Sequence, residues 1–226
     1  MRSDPVVFLP GLQGQAAVFG PLRDVVQLGT AWNAWDLPPG DPREAAAALA
    51  PRLERLGPAH LVTGSYGGLI ALQLPPEGIR SLVMVGTCPN PRLLPPHVSR
   101  QVALLRALPS FLVGSLYRRH LGRSLQGDGV PQETQQVVLG HRPGVGTLLG
   151  RLDGALQEQE AVPVPGRLLW LRGTEDALCP WDDGEVISAW PGAQVQSVPG
   201  GHRPWASHPQ AFAAILQAFW SQVVGQ

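Results

Sequence analysis

Short apolar runs, separated by stretches with helical character, limit this chain more than any other feature. "VVFLP" (6–10), "HLVTG" (60–64), "IRSLVMVG" (79–86), "RLLWLRG" (167–173) and "AQVQSVPG" (193–200) read as buried strands, because they lack sustained polar alternation. Strands alternating with helices imply βαβ units, right-handed crossovers and a mostly parallel sheet. In such a sheet, sites form beyond the C-terminal ends of the strands. Asp41, Pro42 and Glu44 form an N-cap, a first-turn proline and the acid of a capping box ahead of an alanine-rich helix. Pro51 is expected to kink or split that helix. After Pro209, residues Phe212, Ile215, Leu216, Phe219, Trp220 and Val223 fall on one helical face, the spacing of core packing.

Residues 91–160 break the rhythm. "HVSRQVALLRAL" and "PQETQQVVLGHR" are helical patterns and no convincing strand accompanies them, so residues 91–160 read as an inserted helical lid on a core of 1–90 and 161–226. Between 91 and 126 lie Arg92, Arg100, Arg106, Arg118, Arg119 and Arg123, with no acid. Such a run is either a solvated helical face or a docking patch for an acidic partner. Over the whole chain 17 arginines balance 17 acids, and no lysine occurs, so nothing points to nucleic acid or an anionic membrane. Two cysteines, Cys88 and Cys179, are too few for a disulfide framework and fit a reducing compartment, the cytoplasm. The N-terminus has no export signal, and the apolar stretches fall short of the ~18 residues that would span a bilayer.

"TGSYGG" (63–68) puts Ser65 where a buried strand meets a helix. In the pattern G-x-S-x-G such a serine projects from the top of the sheet, and the next N–H, here that of Tyr66, faces a developing oxyanion. Thr63 stands where glycine is commonest, which leaves two readings of the stretch alone: a catalytic elbow or a plain strand-to-helix turn. A serine nucleophile needs a base and an acid to orient that base. Glu175 and Asp176 follow one strand and His202 follows the last, giving the order serine, acid, histidine.

These segments together resemble the α/β-hydrolases over nearly the whole chain: "FLPGLQG" is similar to the oxyanion loop, "TGSYGG" to the nucleophile elbow, "LRGTEDALCP" to the acid turn, and "GGHRPWASHPQAF" to the histidine loop and final helix. The resemblance implies an α/β fold with a sheet of about six parallel strands, flanked by helices, in the family order 4-3-5-6-7-8. It implies Ser65 as nucleophile, Asp176 as acid and His202 as base. The backbone N–H groups of Leu12 and Tyr66 would form the oxyanion hole, with Gly11 and Trp205 at the substrate pocket. Asp176 is preferred to Glu175 because it follows Gly173 by three residues, the usual step in the family. The absence of an elbow aspartate argues against dehalogenation and epoxide hydrolysis.

The activity expected is hydrolysis of a carboxylic ester or thioester, as in the small lidded carboxylesterases, including the pimeloyl-acyl-carrier-protein methyl ester esterases. The substrate would be a small ester or acyl compound, free or carrier-bound, and no cofactor is required. Hydrolysis of a carbon–carbon, amide or lactone bond on the same triad, or ligand binding without turnover, are the alternatives. His208 reads as a capping or packing residue. His60, His97, His120 and His141 lack zinc-ligand spacing, so no metal is expected. Cys88 and Cys179 read as small apolar residues near the sheet edge. Asp182 and Asp183 read as first-turn charges of a helix after Pro180.

Overall fold

The structure is a computed structural model that describes residues 4–26, 28, 31–88, 94, 96–157, 167–179 and 181–224. Strands β1 (Val6–Leu9), β2 (Trp32–Ala34), β3 (Ala59–Gly64), β4 (Ile79–Val85), β5 (Arg167–Gly173) and β6 (Gln194–Val198) form one sheet in the order β2-β1-β3-β4-β5-β6. Every neighbouring pair is parallel. The register lines up Val7, Leu61, Leu82 and Leu168 across four strands, a continuous apolar row.

The strands are buried on both faces, which is why their sequences are apolar without alternation. Val7, Leu9, Leu61, Leu82, Met84, Leu168 and Trp170 belong to one core. Val6, Phe8, Val62, Val83, Val85, Leu169 and Leu171 belong to the other. Two strands depart from the expectation. β2 has only three residues, all half-buried, at one edge of the sheet, and no apolar run announces it. β6 is the opposite edge, and Gln196 and Ser197 on it are exposed.

The helices are α1 (Gly20–Arg23), α2 (Pro42–Leu56), α3 (Tyr66–Ala71), α4 (Pro96–Ala107), α5 (Ser110–Gly127), α6 (Gln132–Gly140), α7 (Val145–Leu156), α8 (Asp183–Ala189), α9 (Pro204–Ser207) and α10 (Pro209–Val224). α4 to α7 all lie between β4 and β5, and α7 packs against α2 and α3. Both ends expected for the 91–160 segment lie outside the described residues, as do Arg92 and Pro180. On α10, Phe212, Leu216 and Phe219 are buried, with Ile215, Trp220 and Val223 packed against them.

α2 starts as its sequence predicts. The Asp41 carboxylate accepts the N–H groups of Arg43 (2.8 Å) and Glu44 (2.9 Å), and Glu44 accepts that of Asp41 (3.1 Å). Pro51 does not split the helix, which runs unbroken from Pro42 to Leu56. Pro51 and Ala47, whose carbonyl loses its helical donor, are both exposed, so water can replace the missing bond. Asp182 is itself an N-cap, in a capping box with Glu185, while Asp183 lies in the first turn of α8 as expected. Asp41→Ala should lower the unfolding free energy by about 1 kcal/mol through loss of the cap, measurable as a lower urea midpoint at unchanged slope.

Candidate active site

Ser65 follows β3 with φ 49° and ψ −114°, and among the described residues it is the one non-glycine with positive φ. Such a backbone stores roughly 1–3 kcal/mol, so the surroundings must enforce it. Its N–H donates to the Val85 carbonyl (2.7 Å), and its own carbonyl accepts the Gly68 N–H (3.0 Å) and the Thr87 hydroxyl (2.9 Å). The turn also runs against β1: a Cβ on Gly67 would lie 2.6 Å from the Leu9 and Pro10 carbonyl oxygens, so no side chain fits there. Thr63 fits because it is fully buried with its hydroxyl donating to the Val83 carbonyl (3.1 Å). Tyr66 opens α3, so its N–H is one of the orphan donors at a helix start.

Asp176 and His202 come together after β5 and β6. His202 Nδ1 and Asp176 Oδ2 are 2.8 Å apart, with both side chains buried. Burial pushes the Asp176 carboxyl up, but the His202 charge and hydrogen bonds from His202, Cys179 and the Leu178 N–H outweigh it and hold it below the usual carboxylate range. An ionised carboxylate only accepts, so a proton on Nδ1 points at Asp176, and in the neutral imidazole Nε2 is then the acceptor. The two loops are stitched by main-chain bonds from Thr174 to Val198 and from Glu175 to Gly200, both 2.9 Å. A Cβ on Gly173 would lie 2.0 Å from the Gly201 carbonyl oxygen, which explains glycine three residues before the acid. Glu175 itself is exposed, and His208 is an exposed residue bonded to Ser207.

Ser65 and His202 line the same two cavities, and Leu12 lines both as well. Gly11 follows β1 close to the elbow, where a Cβ would make ordinary contact with Ser65 at 3.5 Å. Trp205, 1% exposed, walls one cavity and packs on Phe19 and Phe212. The structure thus gathers Gly11, Leu12, Ser65, Tyr66, Asp176, His202 and Trp205 at the C-terminal edge of the sheet. His60 lies elsewhere, buried and bonded to Ser81 (2.7 Å), and His141 is exposed. The side chain of His97 lies outside the described residues.

Three neighbours carried no signal of this role in the sequence. Cys179 Sγ lies 3.7 Å from His202 Nδ1 and donates to the Gly86 carbonyl (3.1 Å). Ligand-type atoms of Asp176, Cys179 and His202 fall within 4.8 Å of one another, the nearest approach to a metal donor set among the described residues. Burial and the adjacent carboxylate raise the Cys179 thiol, which disfavours the thiolate a metal or an electrophile needs. Asp128, at the end of α5, accepts the His202 N–H (3.0 Å) and pairs with Arg203 (2.5 Å). Arg151 of α7, 3% exposed, donates to the carbonyls of Leu12 (2.8 Å), Leu37 (2.8 Å) and Pro38 (3.1 Å). One helix between β4 and β5 thereby grips the histidine loop and another the loop after β1.

A model of the "Alpha/beta hydrolase family" matches residues 6–215. No curated protein sequence matches the chain. Among solved structures, a thermophilic esterase from Thermogutta terrifontis is 17% identical with a TM-score of 0.75, covering 98% of this chain and 90% of its own. A hydrolase from Pseudomonas aeruginosa PA01 is 18% identical with a TM-score of 0.75, covering 96% and 90%. An N-acyl homoserine lactone degrading enzyme is 18% identical with a TM-score of 0.71, covering 96% and 93%. At these identities the likeness is one of fold.

Two outcomes follow from the site's bonding. Asp128→Ala strands Arg203 and the His202 N–H in a buried place, and should lower the unfolding free energy by about 3 kcal/mol in urea titration. Asp176 has a folded-state pKa below its unfolded value of ~3.9, so its stabilising effect is present above that value and lost as pH falls through the lower one. Urea midpoints measured in descending pH steps should therefore fall more steeply for the native protein than for Asp176→Asn.

Proposed function

We propose that this chain, which belongs to the alpha/beta hydrolase family, is a serine hydrolase that cleaves a carboxylic ester or thioester. The observation that carries the reading is the buried His202–Asp176 pair at 2.8 Å, which engages Nδ1 and leaves Nε2 as the other nitrogen of a ring on a cavity wall that Ser65 shares. In this reading His202 takes the Ser65 proton as Oγ attacks the carbonyl carbon, and the Leu12 and Tyr66 N–H groups hold the oxyanion. His202 then protonates the departing alcohol or thiol, leaving an acyl-Ser65. Water, deprotonated by His202, attacks the acyl carbon, and the proton returns to Ser65 as the acid leaves. These steps need no cofactor.

The backbone strain at Ser65 supports the same assignment, since a plain turn gains nothing from a serine forced to φ 49°. The four helices between β4 and β5 would serve as the lid. Their exposed Arg100, Arg118, Arg119 and Arg123, together with the exposed Phe111 of α5, suit an acidic carrier that presents an acyl group.

Ser65→Ala should lower ester turnover roughly 10⁴-fold and abolish labelling by a fluorophosphonate probe, assayed on p-nitrophenyl esters of graded chain length. Full turnover by Ser65→Ala ends the serine mechanism. Labelling of the native protein without turnover of any ester would instead favour a different scissile bond on the same triad.

A further inference from the structure

The two cavities at Ser65 share Leu12, Leu178 and His202 but differ in chemistry. One, of about 130 Å³, is completed by Leu69, Val98, Val102, Leu152, Leu156 and Trp181 among others and is apolar. Its neighbour, of about 110 Å³, is completed chiefly by Gln13, Tyr117, His120, Ser124, Arg203 and Trp205. No carboxylate lines that second cavity.

Several of its polar groups have no hydrogen-bond partner among the described residues. Gln13 is 4% exposed, and neither its side-chain amide nor the Tyr117 hydroxyl has a hydrogen-bond partner among the described residues. Arg203 is 7% exposed and its geometry is more specific. Its Nη1 is taken by Ser124 Oγ (2.9 Å) and Asp128 Oδ2 (2.5 Å), while Nε and Nη2 have no acceptor among the described residues. The Nε–Nη2 edge of a guanidinium presents two parallel N–H groups, the fork that matches a carboxylate. Asp128 is held in turn by the His202 N–H, so the orientation of the fork is set by the same loop that carries the base. Beside Tyr117 stands a second buried cation, Arg151, bonded only to main-chain carbonyls.

We propose that the polar cavity is a carboxylate subsite, in which Arg203, Tyr117 and Gln13 bind an acid group carried by the substrate a few bonds from the scissile carbonyl, while the apolar cavity takes a short hydrocarbon group. The substrate class is therefore a half-ester or an ester of a small hydroxy or dicarboxylic acid. The inference rests on the serine ester-hydrolase reading and narrows it. Both cavities are small, which favours short groups on each side of the bond.

The test compares mono-p-nitrophenyl glutarate with the uncharged p-nitrophenyl pentanoate, and carboxymethyl pentanoate with propyl pentanoate, so that the acid sits on the acyl side in one pair and the alcohol side in the other. The native enzyme should prefer the charged member of one pair by about tenfold or more in kcat/KM, the effect of hydrogen bonds to a charged group. That ratio should fall to near one in Arg203→Gln and drop several-fold in Tyr117→Phe. Equal or poorer turnover of the charged member in both pairs overturns the subsite while leaving the ester-hydrolase reading intact. If no ester is turned over and Ser65 stays unlabelled by a fluorophosphonate, the hydrolase reading fails instead. Calorimetric binding of pentanoate against pentanamide then decides the subsite: about tenfold tighter binding of the carboxylate, lost in Arg203→Gln, upholds it, and equal binding removes it.

Discussion

The site depends on one conformational constraint, a serine held at φ 49° between a strand and a helix. An isolated chain would relax that residue, so its geometry belongs to the packed fold. Three hydrogen bonds, from β4 and the residues after it and from α3, define both peptide planes around Ser65. The close approach of Gly67 to β1 removes the space into which the turn could relax. The free energy stored there is roughly 1–3 kcal/mol, small beside the burial of a sheet covered on both faces. A rigid sheet can therefore hold a strained turn that a flexible loop could not.

The same edge of the sheet carries the other loops, and they are tied to one another as firmly as to the strands. Main-chain bonds join the turn after β5 to the loop after β6, which brings Asp176 to His202 without relying on long side chains. The helices between β4 and β5 contribute two ionic groups to these loops, one buried and one half-buried. Asp128 holds the backbone of His202, and Arg151 holds the carbonyl of Leu12. A shift of those helices would disturb the base and the loop after β1 together, because each tie is a charge-assisted hydrogen bond shielded in part from water. These helices thus shape the pocket and also position the loops around it.

Much of this was legible because local chemistry and tertiary need coincide. Apolar runs without alternation announced strands covered on both faces, and the Asp41 capping box announced the start of α2. Glycine spacing around Ser65 and before Asp176 reported close backbone approaches, a requirement that only glycine meets. β2 escaped notice because three half-buried residues at an edge leave no apolar run. Pro51 does not split α2 because its damage to the helix falls on the solvent side, where water can replace the lost donor. Asp128, Arg151 and Tyr117 were silent: a charge or a phenol on an amphipathic helix reads the same whether it faces water or a loop seventy or more residues away.

The sequence by itself determined the strand-helix alternation, the family resemblance, and the order serine, acid, histidine along the chain, since each is written in local periodicity or in residues a turn demands. The tertiary structure alone decided which charges are buried, which nitrogen of Arg203 is held by Ser124 and Asp128, and that an apolar and a polar cavity meet at Ser65. Those properties arise where segments distant in sequence pack together, and local preferences carry no record of the partners that packing supplies.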